Sequence, residues 1–280
     1  MSNTCKDLSD VLIISDFDGT LTGNNKKIPS KNIEAIERLK KNGGIFVVAS
    51  GRANFVLDIV APEVKNIVNG PCIYANGSYF YDYNAQTRFN EKFIEESIVR
   101  EMLYLIRDIS NEAGIRIVRG DDYFTPELNE EIKRQIANGY MENAVVSTYE
   151  SIPVDKINKI TVCAAEEIVL RSKLMIEERY SKYLDVFQSG ETLIDIQPKN
   201  VSKSVAVDDL RDFYLKQGKK MRIFAVGDYE NDMGMLIKAD YPCCPSNSLE
   251  KVKEFCKVHL CSNDEGCIAD LIEKIENGLI

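Results

Sequence analysis

The chain of 280 residues lacks the features typical of membrane, secreted and nucleic-acid-binding proteins. Its apolar runs, such as Ile45–Ala49, fall far short of the roughly 20 residues needed to cross a bilayer. Residues 1–10 are polar and contain no apolar signal-peptide core. Acidic residues outnumber basic ones by 44 to 35, and the net charge of −9 argues against a basic surface for nucleic acid. We therefore expect a cytoplasmic protein whose partners are neither membranes nor nucleic acids.

Histidine and cysteine motifs are also missing. His259 is the only histidine, which excludes a mechanism that needs two. The eight cysteines form no Cys-x-x-Cys pair and no Cys-x5-Arg phosphatase loop, and the chain has no Gly-x4-Gly-Lys-Ser/Thr nucleotide loop. The irregular spacing of Cys256, Cys261 and Cys267 around His259 does not favour a zinc site. Without an export signal we expect free, buried or half-buried thiols.

The composition itself is that of a globular protein, with 44% hydrophobic and 28% charged residues. Near the start, a helix predicted after Pro29 separates the apolar runs Val11–Ile14 and Ile45–Ala49. A β-α-β order with continuously apolar strands predicts a parallel sheet that is covered on both faces. The alternation resumes near the end of the chain, where Arg222–Val226 is another buried-strand candidate.

The middle of the chain has a different pattern of apolar and polar residues. It contains amphipathic helix patterns with short strand candidates between them, and no obvious catalytic cluster. We predict an α/β protein with a Rossmann-like, doubly wound parallel sheet core built from residues 1–84 and 187–280. Residues 85–186 are predicted to form an inserted α+β domain. A strand candidate at Thr192–Ile196 is assigned to the core.

Two carboxylates directly follow the first predicted strand. Asp16 and Asp18 are two residues apart, so in an extended chain they share a face, at roughly 3.3 Å of rise per residue. A phosphoryl group fits between them, with one carboxylate attacking and the other handling a proton; the pair also suits a metal alone. Gly19 then lets the chain turn away sharply.

Two further segments at predicted strand ends or helix starts suit an anion. Ser50 and Gly51 follow the strand Ile45–Ala49, and a hydroxyl with free backbone N–H groups can cradle a phosphate oxygen. Arg52 either joins them or pairs with a nearby carboxylate. Lys203 precedes an apolar-faced helix and can neutralise phosphate charge or restrain a carboxylate, although Lys199 is a plausible alternative for this role.

The stretch after Arg222–Val226 is acidic. Mg²⁺ prefers hard oxygen ligands in octahedral geometry, and Asp228 is a candidate ligand. Asn231 or Asp232 can orient waters or Lys203, and the same loop can simply cap the helix that follows. Ligands bind beyond the carboxyl ends of strands in open parallel sheets, so all these segments are predicted to meet at one edge.

In this order, the four segments resemble the four motifs of the haloacid dehalogenase superfamily. Details resemble its Cof-type sugar-phosphate phosphatases, and the long insert matches members with a type IIB cap. The segments that carry the resemblance are Asp16-x-Asp18-Gly-Thr, Ser50-Gly-Arg, Asn76-Gly77, Val201-Ser202-Lys203, Gly-Asp228-x-x-Asn231-Asp232, Asn247 and Ser262-Asn263-Asp264-Glu265-Gly266. One departure is Cys243-Cys244-Pro245-Ser246, which replaces an apolar-glycine stretch and leaves a ligand role for Asn247 in doubt.

The resemblance implies a Mg²⁺-dependent phosphatase acting on a small phosphorylated metabolite such as a sugar phosphate. Asp16 is the implied nucleophile, which forms an aspartyl-phosphate, and Asp18 the general acid/base. The implied Mg²⁺ ligands are Asp16, the backbone carbonyl of Asp18, and Asp228. Ser50, Gly51 and Lys203 bind the phosphate, with Asn231 and Asp232 in support.

Two other functions are compatible with these residues. A phosphomutase of the same superfamily uses the same aspartate pair but returns the phosphate to a sugar. A phosphometabolite-binding protein without turnover is a third reading. The inserted domain is expected to close over the site and contact the leaving group, with Arg52 and the turn residues Asp122 and Tyr123 as candidate substrate contacts. The oligomeric state is not predicted.

Overall fold

The structure is a computed structural model that describes residues 7–137, 141 and 144–280, and the chain divides into two compact units. The core unit takes the described residues up to Arg52, Leu57–Phe89 and Ser202–Ile280. The inserted unit takes Ala53–Val56 and the described part of Asn90–Val201. Within the described residues, every helix is too short or too polar to span a bilayer.

Strands and helices follow each other closely in three stretches of the chain, residues 11–89, 96–198 and 203–276. The first stretch contains β1 (Val11–Asp16), α1 (Ser30–Lys41), β2 (Ile45–Ala49), α2 (Asn54–Val60), α3 (Val64–Ile67), β3 (Cys72–Tyr74), β4 (Tyr79–Asp82) and β5 (Thr87–Phe89). The second contains α4 (Glu96–Ile109), β6 (Gly114–Arg119), β7 (Asp122–Thr125), α5 (Glu130–Ala137), β8 (Val145–Val146), β9 (Ile157–Cys163), α6 (Glu166–Tyr180), β10 (Leu184–Gly190) and β11 (Leu193–Pro198). The third contains α7 (Lys203–Lys216), β12 (Arg222–Val226), α8 (Met233–Lys238), β13 (Tyr241–Pro245), α9 (Glu250–Phe255), β14 (Val258–Leu260) and α10 (Cys267–Glu276).

The core unit is built on an eight-stranded sheet of order β14-β13-β12-β1-β2-β3-β4-β5. The six strands from β14 to β3 are parallel, and β4 and β5 extend the sheet as antiparallel strands. Every residue of β1 and β2 is buried. Strands that are apolar on both faces are stable only when both faces are covered, which confirms the α/β fold predicted from the sequence.

Register brings the carboxyl ends of the central strands to one edge of the sheet. Ser15 is opposite Val226 of β12, and Asp16 is opposite Ala49 of β2. The residues that directly follow β1, β2 and β12 therefore lie side by side. This is the edge where the sequence predicted the polar segments to meet.

The inserted unit has its own six-stranded sheet, of order β10-β11-β9-β6-β7-β8. All its neighbouring strands are antiparallel except β7 and β8. Helices α4 and α6 contact each other and supply part of an apolar cluster with the sheet. Members of that cluster include Val99, Met102, Leu103, Ile106, Ile160, Val162, Val169 and Ile176.

The unit boundaries differ from those drawn from the sequence. The sequence placed the insert at residues 85–186, whereas the compact inserted unit takes Ala53–Val56 and the described part of Asn90–Val201. The strand predicted at Thr192–Ile196 exists as β11, but it pairs with β9, with Ile194 opposite Val162. A strand pattern shows that a strand forms but does not show which sheet it joins, and this explains the shift of 187–201.

Candidate active site

Asp16 is the last residue of β1, and its side chain is buried. The chain then turns through Phe17–Leu21, with the N–H of Thr22 donating to the carbonyl of Phe17 at 3.0 Å. Gly19 adopts a φ of +78°, and a Cβ built there lies 2.7 Å from Oδ2 of Asp228. Only glycine combines this backbone conformation with so close an approach, so the turn seats Asp228 against the residues after β1.

Lys203 lies between two of the predicted carboxylates. It is the first residue of α7, where the Ser202 hydroxyl caps the helix by accepting a hydrogen bond from the N–H of Val205. Its Nζ donates to Oδ1 of Asp16 at 2.5 Å and to Oδ1 of Asp232 at 2.7 Å. Burial alone lowers the pKa of Lys203, but the two carboxylates outweigh it and raise that pKa above its usual value.

Asp232 binds Lys203 and also holds the loop after β12 in place. Its Oδ2 accepts hydrogen bonds from the backbone N–H groups of Asp228 at 3.1 Å and Tyr229 at 3.3 Å. Gly227 is required beside it, because a Cβ there lies 2.5 Å from Cβ of Asp232. Asp232 therefore fixes the backbone that presents Asp228.

Asp228 is also held from the turn after β1. The hydroxyl of Thr20 donates to Oδ1 of Asp228 at 2.7 Å. Burial, followed by the nearby charge of Asp232, raises the pKa of Asp228 to about 6, against the Thr20 hydrogen bond that lowers it. Thr20 had no role in the sequence prediction. Its place inside the Asp-Gly-Thr motif was the signal that could have identified it.

The three aspartates form a cluster suited to a divalent cation. Ligand oxygens of Asp16, Asp228 and Asp232 all lie within 4.8 Å of one another. Burial and the charge of Asp232 also raise the pKa of Asp16 well above its usual range, although Lys203 opposes this. Hard carboxylate oxygens whose ionisation is disfavoured by burial and mutual repulsion fit Mg²⁺, which relieves both effects.

Ser50 and Gly51 form the turn that follows β2. The Ser50 hydroxyl accepts a hydrogen bond from the N–H of Arg52 at 3.1 Å. The backbone of Ser50 is anchored to the next strand, because its N–H donates to the carbonyl of Ile73 at 2.9 Å. A Cβ at Gly51 lies 2.7 Å from Oδ1 of Asn76, so the close approach of the hairpin between β3 and β4 favours glycine there.

Arg52 makes the carboxylate pairing that the sequence allowed. Its Nε donates to Oδ2 of Asp18 at 2.7 Å, and its Nη2 donates to Oδ1 at 2.8 Å. Both oxygens of Asp18 are thus held by one planar guanidinium. Lys199, the alternative to Lys203, lies in the inserted unit and pairs there with Asp185 at 2.6 Å.

The remaining predicted residues lie in different surroundings. Asn231 is exposed, in the single helical turn Glu230–Asp232. Asp122 and Tyr123 belong to the inserted unit, at the start of β7. Asp122 is exposed, whereas the Tyr123 ring is buried and packs edge-on against Phe55, with ring centroids 5.1 Å apart.

Asn247 braces the turn after β1. Its Nδ2 donates to the carbonyl of Gly19 at 2.9 Å, and its Oδ1 accepts from the N–H of Asn263 at 2.9 Å. Asn263 in turn donates to the carbonyl of Thr22 at 3.0 Å. The two asparagines therefore link the loop after β13 and the loop after β14 to the residues that follow Asp16.

The chain is similar to known proteins over most of its length. A family model described as haloacid dehalogenase-like hydrolase matches residues 13–272. A 5-amino-6-(5-phospho-D-ribitylamino)uracil phosphatase of Bacillus subtilis is 25% identical in an alignment that covers 95% of this chain and 98% of the relative.

Two solved structures share the fold. A haloacid dehalogenase-like hydrolase from Bacteroides thetaiotaomicron superposes with a TM-score of 0.82 at 24% identity, covering 95% of this chain and 99% of that one. A HAD subclass IIB sugar phosphatase superposes with a TM-score of 0.81 at 20% identity, covering 96% of this chain and 100% of that one.

Proposed function

The chain belongs to the haloacid dehalogenase-like hydrolase family and is a phosphoric monoester hydrolase, and we propose that it is a Mg²⁺-dependent phosphatase of small phosphorylated metabolites that works through an aspartyl-phosphate on Asp16. One observation carries this proposal. The buried Asp16 carboxylate is held by Lys203 through one oxygen, in a cluster with Asp228 that suits a cation.

The residues present divide naturally into cation ligands and supporting groups. Both oxygens of Asp232 already accept hydrogen bonds, one from Lys203 and the other from backbone N–H groups. Asp16 and Asp228 are therefore the side chains that would hold Mg²⁺, together with the backbone carbonyl of Asp18. When bound, the cation screens the repulsion between the Asp16 carboxylate and the anionic phosphate.

Asp16 attacks phosphorus with the carboxylate oxygen that Lys203 does not hold. Among the described residues, Oδ1 accepts the Lys203 hydrogen bond and Oδ2 takes none. A bond forms between this oxygen and phosphorus while the bond to the leaving alcohol breaks. Asp18 starts in its protonated form and gives that proton to the departing alkoxide. The resulting carboxylate then takes a proton from the water that hydrolyses the aspartyl-phosphate, which restores the protonated form.

The transferred phosphoryl group needs donors for its equatorial oxygens, where the charge of the transition state lies. The Ser50 hydroxyl, the N–H of Gly51 and the Lys203 ammonium supply them in this proposal. Lys203 also restrains Asp16, so one ammonium serves the nucleophile and the phosphate together. Arg52 is assigned to Asp18, since its guanidinium holds both oxygens of that carboxylate.

The substrate is proposed to be a sugar phosphate or a related phosphorylated polyol. Support comes from the names of two similar proteins, one acting on a phosphoribityl compound and one described as a sugar phosphatase. Asp122 and Tyr123 stay candidate selectivity residues, and their replacement tests this by comparing kcat/KM across substrates. A cytoplasmic location also stays a prediction.

Phosphate release separates this function from the phosphomutase alternative. Purified protein is incubated with a panel of phosphorylated sugars and small metabolites, with and without Mg²⁺, and free phosphate and isomerised sugar phosphate are both measured. We expect Mg²⁺-dependent free phosphate. Isomerised product without free phosphate would replace the proposal with a mutase, and metabolite binding without either product would replace it with a binding protein.

Asp16→Asn tests the nucleophile. We expect it to abolish turnover and the acid-stable phosphoryl label on the protein, while the unfolding transition stays cooperative. Asp108→Asn is the matched control, because this exposed carboxylate of the inserted unit pairs with its neighbour Arg107. A folded Asp16→Asn protein with full activity would overturn the assignment.

A further inference from the structure

Three consecutive residues in the turn between β3 and β4 have a left-handed backbone. The φ angles are +47° at Ala75, +55° at Asn76 and +103° at Gly77, and no other consecutive residues in the described part of the chain share this sign. Glycine adopts such a conformation readily, but Ala75 carries a side chain and is completely buried. Strained residues of this kind persist where the surrounding contacts hold them, and they concentrate at functional sites.

The backbone of this turn holds the segment Ser50–Arg52. The N–H of Asn76 donates to the carbonyl of Ser50 at 3.0 Å, and the N–H of Ala75 donates to the carbonyl of Arg52 at 2.9 Å. Successive N–H groups of an extended strand point to opposite sides, so a strand that continued straight could make only one of these bonds. The left-handed turn therefore brings both N–H groups to one segment.

The side chain of Asn76 lies against Gly51, the middle residue of that segment. A Cβ built on Gly51 lies 2.7 Å from Oδ1 of Asn76, and Asn76 is buried. The N–H of Gly51 and the hydroxyl of Ser50 are phosphate donors in the proposed function. The turn therefore contacts the segment that carries both donors, through its backbone and through a side chain.

The other end of the turn contacts the start of α7. A Cβ built on Gly77 lies 2.5 Å from the carbonyl oxygen of Ser202 and 3.2 Å from Cβ of Ala206. The Ser202 carbonyl accepts a hydrogen bond from the N–H of Ala206 at 3.1 Å, so it belongs to the first turn of the helix. Lys203 directly follows Ser202, and its ammonium is the third proposed phosphate donor. Because the nearest atoms belong to the backbone, no side-chain rotation makes room for a larger residue at position 77.

We propose that the turn Ala75–Gly77 is a positioning element that sets the spacing between the phosphate donors of Ser50–Gly51 and that of Lys203. The inference rests on the proposed function, because it concerns the donors assigned there. These donors bind oxygens of one phosphoryl group, so the distance between them matters as much as the position of each. Three residues span both contacts, which leaves few torsions that can change the distance.

Gly77→Ala tests the spacing. An ordinary contact between carbon and oxygen is about 3.3 Å or more, so a methyl group at position 77 forces the turn and Ser202 apart by roughly 0.8 Å. Gly218→Ala is the matched control, because Gly218 lies beyond the other end of α7, has a φ of +76°, and a Cβ there meets nothing within 4 Å. Both variants carry the backbone cost of a left-handed alanine, and only Gly77→Ala changes the spacing of the donors.

Inhibition by orthovanadate separates a positioning role from a purely structural one. Vanadate adopts the five-coordinate geometry of the transition state, so its Ki reports the placement of the donors. We expect Gly77→Ala to raise this Ki about tenfold and to lower kcat/KM by a similar factor, below the roughly 100-fold that a full ångström can cost. A variant that is only less folded has fewer active molecules, which lowers kcat and leaves Ki and KM unchanged. Equal Ki values for Gly77→Ala and Gly218→Ala would overturn the inference.

A pair of glycine variants decides the question if Gly77→Ala fails to fold. Asn76→Gly keeps the left-handed backbone, which glycine adopts readily, and removes the side chain that lies against Gly51. Gln86→Gly is its matched control, because Gln86 is exposed and has a φ of +51° in the turn between β4 and β5. We expect the vanadate Ki to rise about threefold in Asn76→Gly alone. Equal Ki values for these two variants would reject the positioning role.

Calorimetric titration with inorganic phosphate, in the presence of Mg²⁺, distinguishes a failure of this inference from a failure of the proposed function. Phosphate binding needs no turnover, and we expect it to be weaker in Gly77→Ala than in Gly218→Ala. A protein that binds phosphate without hydrolysing esters would refute the phosphatase and leave this comparison intact. Active variants with equal phosphate affinity would reject the positioning element alone. If the unaltered protein bound neither phosphate nor vanadate, both proposals would be wrong.

Discussion

Arg52 grips Asp18 with two parallel hydrogen bonds, Nε to Oδ2 at 2.7 Å and Nη2 to Oδ1 at 2.8 Å. The pair joins the turn after β2 to the turn after β1 within the core unit. Two parallel hydrogen bonds from a planar guanidinium fix the orientation of a carboxylate, which a single ammonium cannot do. If Asp18 is the acid/base, its orientation toward the oxygen of the leaving group depends on Arg52.

Arg52→Lys should therefore reduce turnover while leaving substrate binding nearly intact. Lysine keeps the charge but loses the second hydrogen bond. We therefore expect kcat to fall about tenfold, which is less than the roughly 100- to 10,000-fold that a general acid–base catalyst contributes, with little change in KM. Steady-state kinetics with a sugar phosphate measures this split. A rise in KM at unchanged kcat would instead show that Arg52 binds substrate directly.

Gly19 and Gly120 form a matched test of the close approach between the two catalytic turns. Both have positive φ, +78° and +58°, but a Cβ at Gly19 meets Oδ2 of Asp228 at 2.7 Å, whereas one at Gly120 meets nothing within 4 Å. Alanine at either position carries a backbone cost of about 1 kcal/mol. Only Gly19→Ala should also raise the Mg²⁺ concentration needed for half-maximal activity; an equal effect of both variants would reject the role of the contact.

Lys203 and Lys199 separate a buried ion network from a surface pair. The Lys203 side chain is 2% exposed between Asp16 and Asp232, whereas Lys199 is 40% exposed beside Asp185. Lys203→Met leaves carboxylates buried without their partner, a change that costs about 3–5 kcal/mol. Lys199→Met should cost about 1 kcal/mol or less. Denaturant unfolding measures both, and equal losses would contradict the network.

The sequence was most informative where local chemistry and strand order agree. Asp16 ends one buried strand, and Ser50 and Asp228 follow two others. A parallel sheet necessarily brings such positions to one edge. The sheet that Thr192–Ile196 joins was not predictable in this way, because pairing between β9 and β11 depends on side chains that are distant in the chain. The same limit applies to Asn247, whose contact with Gly19 spans 228 positions.

Asp228 predicts how stability responds to pH and Mg²⁺ together. Its pKa rises from 3.8 to about 6 on folding, so between these values the folded protein binds a proton that the unfolded chain does not. The stability contributed by this proton is fully present below pH 3.8 and is lost as pH rises through about 6. Above that pH, the ionised carboxylate is the form that binds Mg²⁺. We therefore expect the increase in Tm caused by Mg²⁺ to be large at pH 7.5 and to shrink at pH 5, as measured by thermal unfolding.

Asp228→Asn should remove most of this increase at both pH values, because its amide oxygen carries no charge for the cation. An increase that is independent of pH and survives in Asp228→Asn would place the cation away from Asp228.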